Sequence, residues 1–397
     1  MRHRTGKRAA AAPRQARPPV WRDVRVLRVA AQVAFVAAVV GLLAYLGGNL
    51  RANLRSVGLP TGFGFLSQPT GVDIRDVAFN RGQPIRDALL VGLAQTVKVS
   101  AVGIVLATVL GTGVGIARLS TNWLVRKAAA VYVETVRNIP VLVILVFGYT
   151  AVMLRLPPIT QAAEWLGAVV FSNSGVVLPW GVVRGDPSGF LAAVLIGLAA
   201  AVIVAIWRTR RFDATGQPHH RVLWGGGVLA AATVAGYLAL GGPVALSLPS
   251  YEGRVVTGGI RLGTEFMALL IGLVIYTASH IAELVRGSIL AVPRGQAEAA
   301  TALGLTPLQR MRFVVLPQAL RIMIPPLANQ YLSLTKNSSL AVAIGFFDVT
   351  LIAQQVVGNG QPAPQVYLLL MVSYLFLSLV ISLAANLVNR ALALRAG

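Results

Sequence analysis

Eight long apolar runs restrict the fold of this chain more than any other feature of its sequence. They cover roughly residues 29–48, 88–117, 128–154, 189–207, 225–247, 264–287, 322–345 and 366–388. A helix needs about 20 apolar residues to cross the ~30 Å hydrocarbon layer of a bilayer. Only 12% of the 397 residues are charged, which is about half the usual fraction in a soluble domain. The runs therefore predict an all-α polytopic membrane protein with about eight transmembrane helices.

The distribution of basic residues predicts how these helices are oriented. The formal net charge of +22 could suggest a nucleic-acid partner, but cytoplasmic loops of membrane proteins also collect Lys and Arg. With the N-terminus placed inside, 22 basic residues fall on predicted inner segments and 9 on predicted outer segments. We therefore expect both termini to be cytoplasmic and the partners to include the lipid bilayer but no nucleic acid.

Several kinds of chemistry are excluded by residue content. The chain has no cysteine, and its four histidines show no metal-ligand spacing such as HExxH. It also has no GxxxxGK[ST] sequence for binding a nucleotide phosphate. We expect no catalytic residues, no metal and no cofactor on this chain, so it is not expected to be an enzyme.

A predicted cytoplasmic loop, residues 296–312, carries the most informative motif. Residues 296–303 are rich in alanine and precede Gly304, which predicts a short helix ending at that glycine. Thr306 then offers an N-cap, Pro307 suits the first helical position and Gln309 completes a capping box. The loop is therefore predicted to be two small helices bent at Gly304. Small alanines on an exposed helix would let a partner surface approach closely.

This loop resembles the EAA signature of the permease subunits of ABC importers. The match consists of the following residues: Glu298, Ala299, Ala300, Gly304, Val314 (where the pattern prefers Ile), Leu316 and Pro317. In that family the loop is the coupling helix, which inserts into a cleft of a cytoplasmic ATPase. The resemblance thus implies a coupling role for this set of residues, with Val314 excepted, and an ABC ATPase dimer as partner, which would bind ATP and Mg²⁺.

Three further stretches resemble the polar amino acid permeases within that family. They are residues 92–97 with 111–120, residues 132–142, and residues 334–345. The likeness covers about 88–154 and 252–390 and implies a five-helix importer core. The enlarged chain is most similar to general L-amino acid permeases. This implies a multi-pass protein of the bacterial inner membrane, a second related permease subunit, a periplasmic binding protein and an amino acid substrate.

The resemblance also divides the chain into segments. Residues 1–28 form a basic cytoplasmic tail, and 29–87 hold an extra helix and an external loop. The first part of the core is 88–154, and 155–251 is an external insertion with two extra helices. The second part of the core is 252–390, with the coupling loop at 296–312, and 391–397 form a cytoplasmic C-terminus.

Polar residues inside the apolar runs are the candidates for a substrate path. A charge at mid-membrane costs about 2.5–3.5 kcal/mol on insertion scales. Asn329, Ser333, Lys336 and Asn337 fall on one face of the seventh run, and Lys336 could meet a substrate carboxylate. A salt bridge of Lys336 or interhelical hydrogen bonds explain this face equally well. Pro325-Pro326 should mark where the regular helix begins.

Three further candidates lie in other runs. Glu283 could meet a substrate ammonium, although a pair with Arg286 at i,i+3 is the commoner arrangement. Arg137 and Asn138 lie in the third run, where Glu134 and Arg137 have the same i,i+3 spacing. Lys98 lies nearer the outer side and could simply extend its amine to the interface.

The predicted function is a permease subunit that moves polar L-amino acids into the cytoplasm by alternating access, driven by a separate ATPase. The alternative is an ion-coupled secondary amino acid transporter, which would need no ATPase. The EAA loop argues against that alternative. A membrane-embedded enzyme has no support, because no cluster of His, Asp and Glu or nucleophile arrangement occurs within the runs.

Overall fold

A computed structural model describes residues 24–393, apart from 59, 76, 166, 185–187, 216–219, 243 and 252–255. Most of the basic tail predicted at 1–28, and the last residues of the predicted C-terminal segment, lie outside the described residues. The helices are α1 (Val24–Ser56), α2 (Ile85–Ala117), α3 (Trp123–Arg137), α4 (Val141–Phe147), α5 (Ser188–Thr215), α6 (Arg221–Ala239), α7 (Thr264–Leu290), α8 (Arg294–Ala302), α9 (Pro307–Arg310), α10 (Leu316–Asn337), α11 (Val349–Gly358) and α12 (Ala363–Ala393).

The predicted number of membrane spans is confirmed. Over the described residues, seven helical runs are long and apolar enough to cross a membrane, and the bent pair α3–α4 makes an eighth. The predicted all-α polytopic fold is therefore correct. Five spans, α2, α3–α4, α7, α10 and α12, form the core of the bundle, while α1, α5 and α6 are additional.

The third predicted run, 128–154, is not one straight helix. Helix α3 ends at Arg137, α4 begins at Val141, and the two pieces meet at an angle of 100°. Pro140 explains the break, because it lacks an N–H and disfavours helical backbone at Ile139 before it. The Asn138 side chain donates a hydrogen bond to the Glu134 carbonyl at 2.6 Å, which satisfies one carbonyl at the end of α3.

The expectation that the seventh span begins at Pro325-Pro326 is wrong. Helix α10 begins at Leu316, and both prolines lie inside it. The proline in the first turn is Pro317, where its missing N–H costs no helical hydrogen bond. The helix also ends earlier than predicted, at Asn337. A 3-10 turn covers Ser338–Ile344, and Gly345 then adopts φ +76°.

Helices α2 and α7 pack closely against each other along much of their length. A Cβ on Gly111 would lie 2.7 Å from Cβ of Ile281, and a Cβ on Gly115 would lie 2.7 Å from Cβ of Val285. Because residue numbers rise together along the two helices, the pair runs parallel. Hydrogen bonds tie other spans to this pair: Thr108 Oγ1 lies 2.9 Å from Tyr331 Oη of α10, and Tyr132 Oη of α3 donates to the Ile275 carbonyl at 2.7 Å.

Helix α11 packs on the first turns of α2 and begins at a buried carboxylate. Asp348 is its N-cap, and one carboxylate oxygen accepts the N–H groups of Thr350 at 3.0 Å and Leu351 at 2.8 Å. The other oxygen accepts the Tyr374 hydroxyl of α12 at 3.2 Å. The Val349 N–H donates to Thr96 Oγ1 of α2 at 3.3 Å, so hydrogen bonds hold the start of α11 to both α2 and α12.

Small β-sheets lie beside the first turn of α7, where the sequence had indicated only an external insertion. One antiparallel sheet has the order β1 (Ala163–Trp165), β2 (Val169–Ser172), β3 (Gly175–Leu178) and β8 (Ile260–Leu262). Strand β4 (Trp180–Val183) pairs with β5 (Val244–Ser247), and β6 (Ser250–Tyr251) pairs with β7 (Val256–Thr257). The β4–β5 pair closes the base of the α5–α6 hairpin, so the C-terminal end of α5 and the N-terminal end of α6 lie away from these strands.

Candidate coupling loop and polar helix faces

The predicted bend at Gly304 is confirmed, and its hydrogen bonds show why glycine is needed there. Gly304 adopts φ +78° directly after α8. Its N–H donates to the Thr301 carbonyl at 2.9 Å, and the Leu305 N–H donates to the Ala300 carbonyl at 3.1 Å. These two bonds define a Schellman motif, in which a left-handed residue satisfies the last carbonyls of a helix.

The predicted capping box of the next helix is confirmed as well. The Thr306 side chain accepts the Gln309 N–H at 3.4 Å, and the Gln309 side chain accepts the Thr306 N–H at 2.9 Å. Pro307 occupies the first turn of α9. Arg310 donates to the Thr301 hydroxyl at 2.9 Å, which braces α9 against α8.

The loop presents a mixed surface that the other described residues do not cover. Leu303 is 81% exposed and Leu308 is 78% exposed, and Glu298 and Ala299 are exposed beside them. Ala300 is buried, so it lies on the inner, packed face of α8 and not on the exposed face. The sequence motif did not single out Leu303 and Leu308, although a leucine on each side of a predicted bend was a visible signal.

The loop is attached to the bundle through its two ends. Val292, Val315 and Ala319 form a buried apolar cluster against Ile289 of α7. After a π-helical turn at Met311–Val315, Leu316 and Pro317 form the first turn of α10. Those two predicted coupling residues are thus the hinge between the loop and a membrane span.

Glu283 is held in an ion cluster at the end of α7 nearest the loop. Arg286 donates to it at 3.2 Å, as the i,i+3 spacing predicted, and Arg118 forms a second ion pair with it. Arg118 is 13% exposed and also lies 3.9 Å from Glu134 of α3. Arg118 could not be predicted as a partner of Glu283, because 165 residues separate the two in the chain. The cluster ties α2, α3 and α7 together and leaves Glu283 paired.

The remaining predicted path residues lie on two faces of the bundle. Asn329, Ser333 and Lys336 are exposed along one side of α10, and Asn337 is half-buried at its end. None of the five ion pairs among the described residues includes Lys336. Arg137 and Asn138 are exposed at the break between α3 and α4.

A bundle of membrane-length helices with an ordered helical loop at one end defines a polytopic membrane protein. The family described as "Binding-protein-dependent transport system inner membrane component" matches residues 103–396. The chain belongs to this family.

Three curated relatives match almost the whole chain. The general L-amino acid transport system permease protein AapQ of Rhizobium johnstonii is 39% identical over 365 residues, which cover 91% of each chain. The putative amino-acid ABC transporter permease protein YhdX of Escherichia coli is 40% identical, covering 91% of this chain and 93% of its own. The glutamate/glutamine/aspartate/asparagine transport system permease protein BztB of Rhodobacter capsulatus is 37% identical, covering 94% and 95%.

Proposed function

We propose that this chain is the permease subunit of an ATP-binding-cassette importer that moves polar L-amino acids into the cytoplasm. The names of the three relatives support the substrate class, since each is described as a permease for amino acids. The proposed partners are a cytoplasmic ATPase dimer carrying ATP and Mg²⁺, a second related permease and a periplasmic binding protein. The proposed location is the bacterial inner membrane with both termini cytoplasmic.

The observation that carries this proposal is the ordered loop formed by α8 and α9. Two capping motifs, a brace from Arg310 and a buried anchor at Val315 hold its shape. Exposed leucines on such a rigid loop suit insertion into an apolar cleft on a partner. In this proposal Glu298, Ala299, Leu303 and Leu308 contact the ATPase, and Gly304 sets the angle between the two helices.

The proposed substrate path uses the exposed polar face of α10. Asn329, Ser333, Lys336 and Asn337 would face a water-filled space shared with the second permease, because an unpaired lysine facing lipid is costly. Arg137 and Asn138 would reach the same space from the α3–α4 break. Glu283, which already has two basic partners, would keep the helices together and would not bind substrate.

Substitutions at Gly304 test the coupling loop. An added Cβ there has no described atom within 4 Å, so the change acts through the backbone alone. A left-handed conformation costs a residue with a Cβ roughly 1–2 kcal/mol, which lowers the population of the correct bend about 5–30-fold. In vesicles containing the assembled complex, Gly304→Val should strongly reduce both uptake and the ATPase stimulation caused by loaded binding protein.

Asparagine provides the matched control, because it tolerates the left-handed region at helix ends. Gly304→Asn should therefore retain most of the coupled activity, and both variants should insert and assemble normally. Leu308→Ser should impair coupling without changing the backbone. If Gly304→Val and Leu308→Ser both couple like the parent, this loop is only a connector. Uptake that persists when the partner ATPase is inactivated would instead favour ion-coupled transport.

A further inference from the structure

A small charged recess lies at the end of the α2–α7 pair opposite the coupling loop. Its walls come from the middle of α2, the first turn of α7, strand β8 and the segment after the 3-10 turn that follows α10. The charged lining residues are Arg75, Lys98, Arg261 and Glu265, and Phe266, Phe346 and Phe347 form its apolar walls. The recess has a volume of about 40 Å³. A single water needs about 10–15 Å³ on this measure, so the recess can enclose the carboxylate end of an amino acid, and the rest of the ligand would lie at its opening.

The charges around this recess do not balance. Three cations face one carboxylate, and none of the ion pairs among the described residues includes any of the four. Lys98 Nζ lies 4.9 Å from the centre of the Phe266 ring, and Arg261 donates to the Ser174 carbonyl at 3.0 Å. Glu265 accepts the Tyr149 hydroxyl at 3.3 Å. Lys98 and Arg261 thus contact neutral groups, and among the described residues no acidic side chain lies within ion-pair distance of the three cations.

We propose that this recess binds a carboxylate of an acidic amino acid on its way into the importer. The proposal rests on the proposed function above and names its substrate class. A guanidinium offers paired donors that match a carboxylate, and Lys98 adds a third cation. Glu265 can receive the substrate ammonium. Arg75, Lys98 and Arg261 are exposed, so their attraction for a carboxylate should be strongest at low ionic strength.

This charge pattern predicts an order of preference. A dicarboxylate amino acid with one ammonium matches three cations and one carboxylate better than a zwitterion does. A cationic amino acid would add a positive charge to an already positive recess. Glutamate and aspartate should therefore bind most tightly, glutamine more weakly, and arginine least.

Direct binding to the permease complex separates this recess from the external binding protein. The complex of permeases and ATPase is purified in nanodiscs without binding protein, and radiolabelled glutamate is titrated at low salt. Lys98→Met should weaken glutamate binding at least tenfold, whereas Lys98→Arg should largely retain it. Arg86→Gln is the matched control, because Arg86 is an exposed cation at the start of the same helix that does not line the recess.

A variant of the single carboxylate tests the orientation of the ligand. Glutarate has both carboxylates of glutamate and no ammonium. Glu265→Gln should weaken glutamate binding and leave glutarate binding unchanged or tighter, which a loss of folding could not produce. If Glu265→Gln weakened glutamate and glutarate binding equally, Glu265 would not be the partner of the substrate ammonium.

The outcomes for the recess and for the proposed function are distinguishable. If the parent complex takes up amino acids with ATP and binding protein, but its glutamate binding is absent or unaffected by Lys98→Met, the recess proposal fails and the importer function stands. If ATP drives no uptake of any amino acid, the proposed function itself fails. Saturable glutamate binding that is lost in Lys98→Met and kept in Arg86→Gln supports the recess.

Discussion

Replacing Gly111 by alanine should destabilise the bundle, while the same change at Gly113 should not. Both glycines lie near the end of α2, two residues apart. A Cβ at position 111 would lie 2.7 Å from Ile281 Cβ and 2.8 Å from the Ala278 carbonyl oxygen. A Cβ at position 113 would have no described atom within 4 Å. The two substitutions are chemically identical and differ only in what the added methyl group meets.

The expected size of the effect follows from these distances. Ordinary contacts to a Cβ are 3.4 Å or longer, so α2 and α7 must separate by several tenths of an ångström to admit the methyl group. Overpacking of this kind typically costs about 1–3 kcal/mol. At Gly113 the gain in helix propensity alone favours alanine by up to about 1 kcal/mol. Gly111→Ala should thus lower the midpoint of unfolding, and Gly113→Ala should leave it unchanged or raise it.

The assay is thermal unfolding of the purified chain in mild detergent, followed by the intrinsic fluorescence of its six tryptophans. Retention on size-exclusion chromatography shows whether each variant starts from the same assembled state. Equal midpoints for the two variants would refute the close α2–α7 contact. A lower unfolding midpoint for Gly113→Ala but not for Gly111→Ala would mean that α2 presents a different face to α7.

Three other changes test separate parts of the structure. Glu283→Gln should destabilise the bundle by leaving the mostly buried Arg118 without its close partner, and the double variant with Arg118→Gln should recover part of that loss in the same unfolding assay. Asp348→Ala should cost about 1–2 kcal/mol by removing the N-cap of α11, whereas Asp348→Asn should cost less. Burial raises the pKa of Asp348 to about 6, so the Asp348 carboxyl binds a proton more tightly in the folded state than in the unfolded state. Relative to Asp348→Asn, the parent should therefore lose stability as the pH rises from about 4 to 6. Lys336→Met should abolish uptake while the complex still assembles, and normal uptake by this variant would remove Lys336 from the proposed path.

The sequence predicted the features that depend on near neighbours. Helix spans follow from the length of each apolar run, and the bend at Gly304 and the capping box of Thr306 depend on residues within about five positions. The pair of Glu283 and Arg286 is likewise one helical turn apart. Each of these was predictable because the physical cause lies within a short window of sequence.

Features set by distant contacts were not predictable in the same way. Arg118 meets Glu283 only after α2 and α7 pack side by side, and the charged recess joins residues from position 75 to position 347. The β3–β8 pair joins segments on either side of the α5–α6 insertion. The predicted helix start at Pro325-Pro326 was wrong for a different reason. Pro140 lies at a break between two helices, whereas Pro325-Pro326 lie inside α10. Sequence alone does not show whether neighbouring groups can compensate for the missing N–H donors.

The orientation of the chain in the membrane can be tested without removing any native thiol, because the sequence has no cysteine. Strands β2 and β3 meet at Asn173, whose carbonyl accepts the Thr264 hydroxyl of the first turn of α7 at 2.8 Å. The sheet therefore lies at the end of α7 opposite the coupling loop. If that loop faces the cytoplasm, Glu164, exposed on β1, must face outward.

The end of α6 at Arg221 must then face inward, because the other end of the α5–α6 hairpin is held at the sheet side by β4 and β5. Gln217, just before it in the chain, lies outside the described residues and is predicted to face inward. In intact spheroplasts a membrane-impermeant maleimide should label Glu164→Cys and not Gln217→Cys. Permeabilised membranes should show labelling of both, which controls for reactivity of each thiol. Labelling of Gln217→Cys in intact spheroplasts would place the hairpin connection outside and contradict the eight-span arrangement with a cytoplasmic N-terminus.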